Sequence, residues 1–243
     1  MATTKEQIAA DAVIDLSVAR RLAMVVMGYI PLLHVSATVA LIVLPLCGYA
    51  PLWVIALAPA CLYLLPPLVV RLTLLVFPIA DGRFRLTDAE FLRWWFTAQW
   101  QIVFNRLPML EEILRLVPSC YSLWLRLWGA KVGALVYWSP GCIVLDRSFV
   151  DIGSRVVIGA AARLHSHLIM QSGGKTSLVI ARITIGDDAL VGGLSLVLPG
   201  VRVHDGQQTR GARPAVPFSE FKDGRCIRHK HWLEDEAAED TDE

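Results

Sequence analysis

Charge is what this chain has least of. Charged residues make up 19% of it, against roughly a quarter in an ordinary soluble domain. Between Leu22 and Ile79 there is no acidic residue, and only His34 and Arg71 can carry positive charge there. Lys and Arg number 23 against 22 Asp and Glu, so a net charge of +1 provides no field to gather nucleic acid. Cysteine is sparse too. The five cysteines, Cys47, Cys61, Cys120, Cys142 and Cys226, contain no CxxC pair and leave one residue over, which argues against a disulfide scaffold and a zinc module. Gly173-Gly174 and Gly192-Gly193 fit neither nucleotide-binding glycine fingerprint.

What fills the space left by charge is hydrocarbon. Residues 22–80 hold two apolar runs of about 20 residues each, long enough to cross a bilayer, broken at Cys47-Gly48-Tyr49-Ala50-Pro51. A secretory signal would be shorter and followed by polar sequence, so a two-span transmembrane hairpin is expected. Lys5, Arg20 and Arg21 precede the first span, and Arg71, Arg83 and Arg85 end or follow the second. By the positive-inside rule both termini then lie on the cytoplasmic side of the inner membrane, with residues 1–21 as a cytoplasmic segment. Pro59, Pro66 and Pro67 predict kinks in the second span, and Arg71 is expected to reach up to the headgroups.

Residues 81–128 read as amphipathic helices lying at the bilayer interface, plain core being the alternative for their aromatics. Thr87-Asp88-Ala89-Glu90 has the form of a capping box opening a helix to about Asn105, on which Trp94, Trp95 and Trp100 stand among Arg93, Gln99 and Arg106. Shorter helices follow at Leu110–Leu116 and, after Pro118-Ser119, at Tyr121–Trp128.

From Gly129 the pattern changes to a six-residue period. Aliphatics recur at Val132, Trp138 and Val144; at Ile152, Ile158, Leu164 and Met170 after a two-residue slip; and at Ile185, Val191, Val197 and Val203. Small or aliphatic residues stand four places later at Val156, Ala162, Ala189, Ser195 and Val201. Such a period predicts a parallel β-helix over 129–210, each hexad one flat face and about eleven hexads making just under four triangular coils. The aliphatic fills the interior, and glycine after it is expected to supply turn conformations that other residues resist. Residues 211–243 read as a tail, first basic and then, from Glu234 to Glu243, acidic and disordered.

The repeat resembles the left-handed β-helix, hexapeptide-repeat acyltransferase superfamily, through Val150-Asp151-Ile152-Gly153, Val157-Ile158-Gly159 and Ile183-Thr184-Ile185-Gly186-Asp187-Asp188-Ala189-Leu190-Val191-Gly192. Leu125 to Gly133 and Leu164-His165-Ser166-His167-Leu168 resemble more closely the membrane-embedded C-terminal modules of polylysine-synthetase-type nonribosomal peptide synthetases and their free-standing relatives. The resemblance implies a homotrimer with active sites in the clefts between neighbouring prisms. The donor it implies is acyl-coenzyme A or a phosphopantetheine-carried thioester, the latter delivered by a carrier protein, and no metal is needed.

Acyl transfer needs positioning, a general base and an oxyanion partner. Leu164 and Leu168 are read as pointing into the prism, so His165 and His167 point outward. His167 matches the histidine of the related modules and is the expected base, with His165 second. Met170–Arg182 then interrupts the repeat as a candidate substrate loop. Acidic residues follow the histidine in those modules, whereas Ile169, Met170, Gln171 and Ser172 follow it here. A carbonyl, Asp146 or Asp151 must therefore orient His167. Gly192, Gly193 and Ser195 offer room and N–H groups for a pantetheine arm, or serve only the fold. Arg210 and Arg213, with Lys222, Arg225, Arg228 and Lys230, offer charge for coenzyme A phosphates or for headgroups.

Three functions stay open on the sequence. The first is an acyl or aminoacyl transfer from a thioester to an amine or hydroxyl, peptide-bond formation being one form of it. The second is a trimeric membrane scaffold without activity. The third, a β-helix carbonic anhydrase, needs three metal histidines, and the spacing of His165, His167 and His204 disfavours it, as do the isolated His229 and His231.

Overall fold

The computed structural model describes residues 16–172 and 175–228. Ser17 caps the first helix, α1 (Val18–Met27), and α2 (Ile30–Leu46) follows after a single turn. Val18–Leu46 together are 29 residues long and apolar enough to cross a membrane, with 11% of their most apolar window buried in protein. A 3-10 turn (Leu52–Ala56) leads into α3 (Leu57–Tyr63) and α4 (Leu65–Val76), and this pair bends by 43°. The bend falls just before Pro66-Pro67, which lack the N–H groups that would continue the ladder. The kink expected at Pro66-Pro67 is thus present as this bend.

Arg71 does not extend freely. Its guanidinium donates to the Arg126 carbonyl at 3.0 Å. The expected capping box also fails. After β1 (Gly82–Arg85), α5 (Ala89–Arg106) is capped by Asp88, whose carboxylate accepts from Arg85 N at 2.7 Å instead of the helix. The Thr87 and Asp88 carbonyls take the Arg20 guanidinium. α6 (Met109–Arg115) and α7 (Cys120–Leu127) complete the helical half, each within two residues of its expected bounds.

The tryptophans of α5 face protein. Trp94 is buried, and Trp95 donates to the Met24 carbonyl at 3.2 Å. Phe104, Tyr121, Trp124 and Trp128 belong to one core continuous with the β-coil interior. The edge-on ring pair Phe104–Trp124 (4.8 Å) ties α5 to α7, and Tyr121–Trp138 (4.9 Å) joins the helical half to the coil.

The coil itself follows the period. β2 (Lys131–Val132), β3 (Tyr137–Trp138) and β4 (Ile143–Leu145) make the first turn of the prism; β5 (Val150–Ile152), β6 (Val157–Ile158) and β7 (Arg163–His165) make the second. A hairpin of β8 (His167–Ser172) and β9 (Lys175–Ile180) then leaves the prism and pairs antiparallel with β1. β10 (Ile183–Ile185), β11 (Leu190–Val191) and β12 (Leu196–Val197) form the third turn, and β13 (Arg202–Val203) and β14 (Pro214–Ala215) belong to the fourth. β15 (Ser219–Lys222) adds a further parallel rung and is closed by antiparallel β16 (Arg225–Arg228). Each face is a parallel sheet, for example β4–β7–β12–β14. The coil therefore runs past residue 210, because Ala215 and Phe221 continue the buried column.

Val132, Val144, Ile152, Ile158, Leu164, Ile185, Val191, Val197 and Val203 are all buried, as are Val156, Ala162, Ala189, Ser195 and Val201 at the corners. Met170 and Leu168 are exceptions, since both belong to the hairpin. The repeat glycines have a different reason from the expected one. Left-handed φ falls two places later, on Leu135 (55°), Arg155 (58°) and Asp188 (55°). Glycine is required because adjacent coils nearly touch: a Cβ on Gly159 would stand 2.4 Å from Gly193 N.

Candidate active site

The two-residue slip in the repeat is where the chemistry gathers. β4 ends at Leu145, and Asp146 turns the chain with a left-handed φ of 53°. In the next coil Leu145 pairs with His165, so the corner above Asp146 is Ser166-His167, where the hairpin departs. His167 Nδ1 meets Asp146 Oδ2, and Asp146 Oδ1 accepts from Trp94 Nε1 at 2.9 Å. The Trp94 ring also lies against the imidazole, with centroids 4.8 Å apart. Asp146 is 3% exposed, so both its oxygens are satisfied by N–H donors in place of water.

The acid that orients His167 is thus Asp146. Asp151 is engaged elsewhere, accepting from Arg182 at 2.9 Å and facing Lys131 at 3.4 Å. A carboxylate on Nδ1 fixes the tautomer, leaving Nε2 as the proton acceptor. Burial opposes charge on His167, but the Asp146 carboxylate, by charge and by hydrogen bond, raises the imidazole above its ordinary range. His165 goes the other way: burial lowers it, and the charge of His167 adds to that. Environment has separated the two histidines into a strong and a weak base.

Behind this pair sits a buried cation. Arg147 is 1% exposed and donates to Gln101 Oε1 at 3.0 Å, Asn105 Oδ1 at 2.9 Å and Glu111 Oε1 at 2.8 Å. Gln101 Oε1 also accepts from Arg147 N at 2.9 Å. Glu111 Oε2 takes Tyr121 Oη at 2.7 Å and Arg115 at 3.0 Å. α5 and α6 therefore hold the residue next to Asp146, and the helical half positions the Asp146–His167 corner. Arg147→Met is expected to cost about 3 kcal/mol, because Gln101, Asn105 and Glu111 Oε1 lose their donor in the core while Arg115 still holds Glu111 Oε2. Denaturant unfolding of the detergent-solubilised protein reads this directly.

The other expected site residues lie at the opposite end of the β4–β7–β12–β14 face. Gly192 N donates to Thr209 Oγ1 at 2.9 Å, Ser195 Oγ donates to the Gly192 carbonyl at 2.6 Å, and Gly193 O accepts from Ala212 N at 2.8 Å. Arg210 and Arg213 are exposed in the turn stacked beside them. Lys222, Arg225 and Arg228 belong to the terminal hairpin, while His229, Lys230, His231 and the acidic tail lie outside the described residues, as do Lys5 and Gly173-Gly174. Met170–Arg182 is not an open loop over a cleft. It is most of the β8–β9 hairpin, and its Leu178 and Ile180 are buried with Ile79, Phe91 and Phe149.

Burial pushes the Cys142 thiol up to about 11, so it stays protonated. His204 is paired with Glu220 at 2.7 Å, and among the described residues no three His, Cys, Asp or Glu side chains gather as metal ligands. Arg147, Gln101 and Glu111 were not singled out from the sequence; the one signal was an Asp-Arg pair placed at the slip of an apolar repeat.

No family profile matches the chain. Nodulation protein L of Rhizobium leguminosarum bv. viciae is 34% identical over 74 residues, 29% of this chain and 39% of that protein, so the chain spans about two fifths of that relative. Among solved structures, a maltose O-acetyltransferase from Clostridium difficile 630 superposes at a TM-score of 0.34 and 14% identity, covering 61% of this chain and 92% of that one. A hexapeptide-repeat acetyltransferase from Vibrio cholerae, solved with acetyl coenzyme A, gives 0.34 at 16% identity over 54% and 89% of the two chains. By its own stacked rungs and buried six-residue column, the C-terminal half of this chain is a hexapeptide-repeat coil.

Proposed function

We propose that this protein is a membrane-anchored acyltransferase that moves an acyl or aminoacyl group from a thioester to an amine or hydroxyl. The Asp146–His167 pair, locked by Trp94, is the observation that carries the reading. His167 Nε2 takes the proton of the acceptor as its nitrogen or oxygen attacks the thioester carbonyl. The C–S bond then breaks, and the departing thiolate recovers that proton from the imidazolium. The donor, acyl-coenzyme A or a carrier-bound phosphopantetheine, lies along the outer face of β4–β7–β12–β14, from His165 to Gly192, Gly193 and Ser195, with Arg210 and Arg213 meeting its phosphates.

The coil in this reading is left-handed and trimeric. Tyr137, Val157 and Leu190 stand in register on the outer face of β3–β6–β11, and all three are exposed. Such an apolar stripe suits a second copy. Val18–Leu46 and the bent α3–α4 pair anchor the protein in the inner membrane, with the prism and both termini on the cytoplasmic side, where thioesters are made. An aminoacyl donor would make the product a peptide bond, as in the related synthetase modules.

Calorimetry on the detergent-purified protein with acetyl-coenzyme A tests the donor without any guess about the acceptor. Saturable binding with a dissociation constant of roughly 1 μM to 1 mM is expected. Absence of binding to both coenzyme A and acetyl-coenzyme A would remove the free-thioester donor and leave the carrier-bound one.

A further inference from the structure

The helical half holds a groove that acyl transfer does not use. α3, α4, α6 and α7 border an open groove of about 650 Å³, walled by Pro59, Leu64, Leu114, Leu123, Trp124 and Leu127. Two guanidiniums, Arg71 and Arg126, stand where this groove meets an adjoining hollow of about 480 Å³ that Lys131 also lines. Neither arginine has an acidic partner among the described residues. Arg71 donates to the Arg126 carbonyl at 3.0 Å, and Arg126 donates to the carbonyls of Val132 at 2.8 Å and Gly133 at 3.0 Å. Asp151, the acid nearest Lys131, already holds Arg182 at 2.9 Å.

Carbonyls satisfy hydrogen bonds without cancelling charge. The groove therefore joins a hydrocarbon wall to two exposed cations that no carboxylate compensates, and at a bilayer surface such cations attract an anionic headgroup. Water fills an apolar groove poorly, and a free anion would leave that groove empty. We propose that the groove binds one anionic phospholipid, with an acyl chain between α3 and α7 and the phosphate between Arg71 and Arg126. The volume suits a single ligand of that kind. Leu64 and Leu123, which line it, are exposed, which gives a chain its way in from the bilayer. The proposal shares with the transferase reading only the bilayer around α1–α4.

Native mass spectrometry of the full chain in detergent tests this. The probes are phosphatidylglycerol, phosphatidylcholine with the same chains, and inorganic phosphate. One phosphatidylglycerol per chain is expected to survive delipidation while phosphatidylcholine is lost, and inorganic phosphate should not displace it. Arg71→Gln should lower phosphatidylglycerol affinity about five-fold, the worth of one cation near a headgroup. Leu123→Trp narrows the groove from an exposed position and should weaken both lipids. Equal retention of the two lipids, unchanged affinity in both variants, displacement by phosphate, or occupation of the groove by a second copy in place of lipid would each overturn the proposal. Arg71 and Leu123 belong to the helical half, so acetyl-coenzyme A binding on the same samples tells failure of this site from failure of the transferase reading.

Discussion

Replacing His167 with alanine is expected to lower the rate of acyl transfer by about 10²–10⁴-fold, the usual worth of a positioned general base. The fold should survive it. His167 sits at the root of the β8–β9 hairpin and not in the buried column, so its loss opens no cavity in the prism. Size-exclusion chromatography of the variant should match that of the parent protein, while its unfolding midpoint falls modestly because the buried Asp146 carboxylate loses one of its two donors. A parent-like transfer rate in His167→Ala would remove this residue from the mechanism and favour the scaffold function. His165→Ala is the control, since burial and the neighbouring His167 make it the weaker base.

Asp146→Asn should be nearly as damaging, by about 10²–10³-fold, for two separable reasons. An asparagine amide can donate to Nδ1, which turns the ring to the tautomer that carries its proton on Nε2, and that ring cannot take a proton from the acceptor. The charge that raises His167 is lost at the same time. A general base works when deprotonated, so kcat/KM rises as pH rises through the imidazole pKa. In the parent protein that inflection lies above the ordinary value of about 6.5. In Asp146→Asn only burial remains, and the inflection should move below it. A pH–rate profile read on both proteins checks the sign. An unchanged inflection would mean that Asp146 does not govern the ionisation of His167.

The six-residue column shows how much local chemistry can fix. Ile152, Ile158, Leu164, Ile185, Val191 and Val197 fall inside the prism because a strand and its corner repeat with that period whatever the rest of the chain does. Apolar runs from Val18 to Val76 were equally plain, since lack of charge needs no partner to be recognised. Errors began wherever the reason was a contact. Glycine after the aliphatic residue reads as a turn former, yet Gly159 is glycine because Gly193 of the next coil lies against it. Thr87 reads as a helix cap, yet Arg85 N takes Asp88 and Arg20 takes the carbonyls of the turn. Trp94 reads as an interfacial ring, yet its N–H holds the buried Asp146 carboxylate.

The sequence by itself determined the apolar N-terminal helices, the hexad coil and the histidine that leads out of it, because each is written in a short period or a local scarcity. Tertiary structure alone decided that His167 has a partner. Asp146 is 21 residues before it and Trp94 a further 52, and only the stacking of one coil on another and of α5 on both brings the three together. The reason is physical: hydrophobic period depends on each residue alone, whereas a hydrogen-bonded, desolvated carboxylate depends on atoms that chain separation does not encode.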